Sequence, residues 1–245
     1  MGLLVTFLLG VFVLLGALLA GLAKNGARIS DISIAVALGA MVTLLAEDLV
    51  PEALEIAQES GWVLVVTAAL LGIFILLALD KFLPEPHHGK ERAVHGDSTL
   101  HISIAATIAL VAHNLVEGMS VYSLSSQSLS MAIVLAAGVG LHNIPMGMIV
   151  YAGVRNEKPA HRVAVLACAA LSTFLGGLVM FALGDAVNEM LVQAMICMTI
   201  GLLLFIVFGE LIPHVAHSHH KGLALIFVLI GVAAVVVSGM LEGLV

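Results

Sequence analysis

Two histidine–asparagine pairs carry the chemistry open to this chain: His113-Asn114 is followed by Glu117, and His142-Asn143 by Pro145 and Met146. Residues four apart on a helix share a face, so His113 projects with Glu117, and Met146 stands to His142 as Glu117 stands to His113. Neutral imidazoles with a carboxylate form a donor set for Zn²⁺ or a neighbouring divalent transition metal. Asn114 and Asn143 add amide oxygens, as ligands or as hydrogen-bond partners behind the ligands. Pro145 withholds a backbone N–H inside an apolar run, which kinks the helix and leaves a carbonyl in need of another partner. Taken singly, His113 with Glu117 reads equally as a structural pair, and His142 as a satisfied core histidine. A charged group at the centre of a membrane span costs about 2.5–3.5 kcal/mol, and structural need does not call for several metal-ligand types to converge there. The constellation therefore reads as a metal site.

Other ionisable groups flank it. Asp48, Glu52, Glu55 and Glu59 form a stripe, with Glu47 beside it. Like charges on one face need water or cations, so the stripe reads as an entrance that concentrates cations. Glu55 and Glu59 fit a solvated helix end, whereas Glu47 and Asp48 lie deeper and are the entrance candidates. Glu210, His214 and His217 follow one another at i, i+4 and i+7 and, with His219 and His220, mark an exit pathway. His87, His88 and His95 lie in a polar connection and are candidates for transient metal binding.

The elements that position these residues are apolar. Of 245 residues, 61% are hydrophobic and 10% charged, whereas a soluble domain carries roughly a quarter charged residues. The composition excludes an ordinary soluble protein and predicts an all-α integral membrane protein. Eight spans are predicted at 2–23, 32–56, 61–83, 99–124, 128–153, 161–184, 188–213 and 222–244. They form one transport domain over residues 1–245, with a flexible cytoplasmic loop at 84–98. All nine Lys and Arg residues fall on one side of this arrangement, which predicts both termini on the extracytoplasmic side. The net charge of −7 is dispersed and no basic patch exists, so nucleic acid is excluded as a partner. Cys168 and Cys197 sit in apolar runs and predict no disulfide. The first apolar run lacks a basic leader and reads as a retained span.

The sequence also echoes itself. Glu47-Asp48-Leu49-Val50-Pro51 in span two matches Glu210-Leu211-Ile212-Pro213 in span seven, and the two His-Asn elements match between spans four and five. Each echo joins an outward-running to an inward-running helix, the signature of inverted repeats in a secondary transporter.

His-Asn-x-x-Glu-Gly in span four, His-Asn-x-Pro in span five and acid-x-x-Pro in spans two and seven resemble the ZIP (Zrt/Irt-like) family of divalent metal transporters, over nearly the whole chain. The resemblance implies uptake of Zn²⁺, with Fe²⁺, Mn²⁺ or Cd²⁺ as alternatives, toward the cytoplasm across the plasma membrane (in a bacterium, the cell inner membrane). It further implies alternating access by one helical bundle moving against another, no resident cofactor, and a homodimer in the lipid bilayer. By position, His113, Glu117 and His142 would hold the main ion, with Asn114 and Asn143 bordering an adjacent site. Glu47 or Asp48 would match the entrance acid, and Glu210 with His214 the exit ligands. Met146 departs from the family, where many members carry a bridging Glu; its thioether suits softer ions, and one principal metal per chain is expected. The competing readings are an intramembrane zinc-dependent hydrolase, for which no His-Glu-x-x-His motif or nucleophile set is present, and a metal-sensing membrane protein.

Overall fold

Backbone polar groups in hydrocarbon must be satisfied within their own segment, so long apolar runs become helices. The computed structural model describes residues 1–22, 26–80, 94–127, 129–218 and 221–242. Among them the helices are α1 (Gly2–Leu22), α2 (Gly26–Leu44), α3 (Val50–Ser60), α4 (Trp62–Asp80), α5 (Val94–Gln127), α6 (Leu129–Val154), α7 (Pro159–Leu183), α8 (Glu189–Phe205), α9 (Ile212–Ala216) and α10 (Lys221–Glu242). A π-helical turn, Leu45–Leu49, carries α2 into α3, and a second, Ile206–Leu211, carries α8 into α9. The described residues thus form eight rods.

Seven of these rods are long and apolar enough to cross a membrane, while the apolar stretch of the eighth, Trp62–Ala78 in α4, is shorter. Large apolar side chains such as Phe74 and Phe181 stand on the outside, where a membrane protein meets lipid tails and a soluble one could not keep them. The chain is an integral membrane protein. Helix ends differ from the hydropathy edges: α2 begins at Gly26 and α5 at Val94, so residues 94–98 of the expected loop are helical. Nothing in Val94–Ser98 is a proline, and a helix can outrun its apolar stretch once it projects beyond the bilayer. His87 and His88 lie outside the described residues, and His95 falls in the first turn of α5.

The rods sort into two bundles. The first joins α1, α5, α6 and α7; the second comprises two tight pairs, α2 with α10 and α4 with α8, linked through the α2–α3 and α8–α9 rods, and its α2 and α10 also meet α6 closely. Glycine explains the pairing. A Cβ on Gly16 would fall 2.0 Å from the Ile144 carbonyl oxygen, and one on Gly147 would fall 2.0 Å from that of Val13, so α1 and α6 touch backbone to backbone. The same reciprocal arrangement joins α5 to α7 through Gly118 and Gly176, α2 to α10 through Gly39 and Gly231, and α4 to α8 through Gly72 and Gly201. Such close approach is how helices gain packing energy in lipid, where apolar surface alone offers no preference for protein over tails. All four crossings lie within a bundle. The boundary between bundles lies where α6 meets α2 and α10 and where α5 meets α8.

The two π turns occupy equivalent places. Val50 N–H reaches back five residues to the Leu45 carbonyl, and Ile212 N–H to that of Val207. Pro51 and Pro213 follow directly, and neither has an N–H to offer the carbonyls behind it. Each rod therefore carries backbone carbonyl without a donor from its own helix, next to Glu47 and Asp48 in one case and Glu210 in the other. π-turns of this kind are frequent at functional sites.

Candidate metal centre

The i, i+4 spacing on α5 places His113 Nε2 2.7 Å from Glu117 Oε1. From the adjoining α6, His142 Nε2 approaches the same oxygen to 2.6 Å. One nitrogen or oxygen from each of the three residues lies within 4.8 Å of the others, the separation expected of atoms sharing one cation. The rings are 5.8 Å apart at 45°, inclined so that both Nε2 edges face the carboxylate. At 2.6 Å, His142 Nε2 and Glu117 Oε1 are within hydrogen-bond distance, and a cation bound by both would displace the proton between them.

Burial makes the arrangement demanding. His113, His142, Asn114 and Asn143 are all buried. Among the described residues Glu117 Oε2 and both amide atoms of Asn114 and of Asn143 make no hydrogen bond. Buried polar atoms are nearly always paired, and a cluster of unpaired donors and acceptors is what a missing ion and its waters would satisfy.

A cavity of about 150 Å³ opens beside the three ligands. Its walls come from both bundles: His113, Glu117 and His142 from α5 and α6, Asp48 and Glu52 from the π turn and α3, and Thr199 from α8. The cavity therefore lies on the boundary. It extends from the site along the C-terminal half of α5 and the N-terminal half of α6, toward the end of the molecule where the α5–α6 connection lies.

The two comparisons with known proteins agree with this geometry. Residues 85–239 match the protein family described as ZIP Zinc transporter. The chain belongs to this family. It is 29% identical over 222 residues to the zinc transporter ZupT of Enterobacter sp. (strain 638), covering 86% of this chain and 85% of that one. It is 28% identical over 219 residues to ZupT of Shigella dysenteriae serotype 1 (strain Sd197), with coverage of 86% and 85%. With ZupT of Stenotrophomonas maltophilia (strain R551-3) it shares 27% identity over 144 residues, 54% of each chain. ZIP proteins are transporters, so membership sets aside the hydrolase reading.

The remaining predicted residues fall in several places. Asp48 reaches the cavity wall and Glu47 does not: its Oε2 lies 3.8 Å from where a Cβ on Gly239 of α10 would stand. Glu52, a member of the acidic stripe, also lines the cavity. Glu59 accepts a hydrogen bond from the Gln193 side-chain amide at 3.1 Å. Met146 is buried in the main hydrophobic cluster with Val13, Ile149 and Val150. In the ZIP fold of this chain Asn114, Asn143 and Met146 lie outside the cavity wall that the three ligands share.

At the other end, Glu210 sits half-buried in the second π turn and His214 on α9. His214 Nε2 meets Asp31 Oδ1 of α2 at 3.2 Å. His217 Nδ1–H donates to the Pro213 carbonyl at 2.7 Å and so caps α9, with its ring exposed. His219 and His220 lie outside the described residues. Asp31 was not legible as a site residue, since its partner is 183 residues away in sequence.

Proposed function

We propose that this protein carries Zn²⁺, with Fe²⁺, Mn²⁺ or Cd²⁺ as related cargo, across the cell membrane toward the cytoplasm by alternating access. The observation that carries the reading is the convergence of His113, Glu117 and His142 on one point at the boundary between two bundles. A cation held there leaves when one bundle slides past the other. Tight helix pairs suit such motion, because the backbone-tight glycine crossings resist separation of each pair.

An inverted repeat is part of this reading. Exchanging spans one with six, two with seven, three with eight and four with five turns the α1/α6 crossing into α7/α5, and α2/α10 into α8/α4. The reciprocal glycines and the paired π turns support that exchange. The Lys and Arg distribution places both termini outside the cytoplasm, so the cavity faces outward and Asp48 with Glu52 lies on the way in. Glu210, His214 and His217, with Asp31 added, lie on the way out. The chain acts as a homodimer and holds one principal ion, because Met146 supplies no carboxylate beside His142.

The test is saturable Zn²⁺ influx into proteoliposomes, comparing wild type with His142→Ala at equal protein content. Influx lost in the variant supports transport through this site. Equal influx in both would refute it, and binding without influx would favour a sensor.

A further inference from the structure

A hydrogen bond crosses from the second bundle into the metal site. Ser238 of α10 is 1% exposed. Its hydroxyl donates to the Gly138 carbonyl of α6, and His142 Nδ1 lies 3.2 Å from the same oxygen. A serine hydroxyl has one hydrogen and two lone pairs. With the hydrogen directed at a carbonyl, the oxygen is an acceptor toward the ring, so His142 presents Nδ1–H to Ser238 and keeps Nε2 on the side of Glu117. Gly138 and His142 are four residues apart and share one face of α6. A single hydroxyl therefore holds both the helix and the ring that the helix carries.

We propose that Ser238 is a positioning residue for the metal site: from across the bundle boundary it fixes the Nδ1–H form and the orientation of His142, so that the site is complete only while the two bundles hold this register. An outer partner on the far nitrogen of a metal-binding histidine orients the ring and raises its basicity. Here that partner belongs to the other body. α10 is locked to α2 by Gly39 and Gly231, while His142 is locked with α6 to α1 by Gly16 and Gly147, so sliding of one bundle past the other must pull Ser238 from the ring. Affinity is then high in one register and falls in the other, which is what a carrier needs in order to release its ion. This coupling rests on the alternating-access reading, whereas the positioning of His142 does not.

Initial rates of Zn²⁺ uptake into proteoliposomes and Co²⁺ titrations of the purified protein, followed by the visible spectrum, separate the two parts. Removing an outer partner of a metal-bound histidine weakens binding about 10–100-fold. Ser238→Ala is expected to raise both the Co²⁺ dissociation constant and the KM for Zn²⁺ within that range, with the maximal rate at or above wild type. Ser238→Thr, which keeps the hydroxyl, restores both constants to within about threefold. If Ser238→Ala does not yield folded protein, Ser238→Cys, with sulfur as a weak acceptor, takes its place. An unchanged KM and dissociation constant in the Ala or Cys variant would overturn the proposal. So would equal impairment of the Thr variant, or a fall in maximal rate alone, since those mark a packing role. A wild type that binds Co²⁺ but moves no Zn²⁺ would sink the carrier reading and the coupling, while the affinity difference between Ser238 and Ala would still decide the positioning of His142.

Discussion

Replacing Gly147 with alanine puts a methyl group 2.0 Å from the Val13 carbonyl oxygen, where ordinary contact begins near 3.4 Å. The obstacle is backbone and cannot rotate away, so α1 and α6 must part by about 1.4 Å at this crossing. Overpacking of this kind costs about 1–3 kcal/mol, and an unyielding neighbour argues for the upper end. Alanine recovers about 1 kcal/mol in helix propensity, leaving a net loss of about 2 kcal/mol. For a chain of this length that is a fall in Tm of about 4–8 °C, on a scale of about 2–4 °C per kcal/mol. Gly16→Ala meets the Ile144 carbonyl at the same crossing and should cost as much. The double variant decides the matter, because one separation of the helices relieves both clashes. Its loss should be close to that of either single variant, with a coupling of about 1–2 kcal/mol. Gly147→Ala combined with Gly231→Ala, in different bundles, should instead be additive. The assay is thermal unfolding of the purified protein in one detergent. Additivity within the α1/α6 crossing, or single variants as stable as wild type, would refute the reasoning that glycine contact holds each bundle together.

Two further outcomes follow from the site. Met146→Glu places a carboxylate one turn from His142 but inside an apolar cluster. It should lower the metal-free Tm and raise the Zn²⁺ stoichiometry from one to two ions per chain, as read by metal analysis after equilibrium dialysis; an unchanged stoichiometry would show that the residue does not limit the site to one ion. Zn²⁺ binding should also weaken as the medium is acidified, because a proton occupies the His142–Glu117 contact that the ion must take. Each displaced proton contributes at most a factor of about ten per pH unit. Dissociation constants measured between pH 5.5 and 7.5 check this, and pH-independent binding would mean that the ion sits elsewhere.

Much of the site was legible because its signals are local. His113 and Glu117 are brought together by helix periodicity alone, and His142 by its matching motif on the next span. The acid-x-x-Pro elements were visible as echoes, but the π turns they produce were not. A proline announces a missing donor without saying how the neighbouring carbonyls rearrange. Glu47 and Asp48 could not be ranked from sequence: adjacent residues point about 100° apart on a helix, and which one faced the cavity depended on where α10 packed. Glu52 belonged to the acidic stripe but was not singled out as an entrance candidate, because hydropathy does not distinguish solvent outside the bilayer from a cavity within the bundle.

The sequence by itself determined that this chain lives in a membrane, that its elements are helices, and that one face of α5 with its counterpart on α6 presents metal-ligand types. Hydrophobic run length and side-chain spacing are properties of neighbouring residues, and they survive in the linear order. Tertiary structure decided which rods pair closely and what stands beside the candidate ligands. The four reciprocal glycine crossings pair the rods two by two only after the helices have met. The partners of His142 and His214, Ser238 and Asp31, are 96 and 183 residues distant. Contacts of that separation depend on the packing of whole helices, and no local pattern in the chain records them.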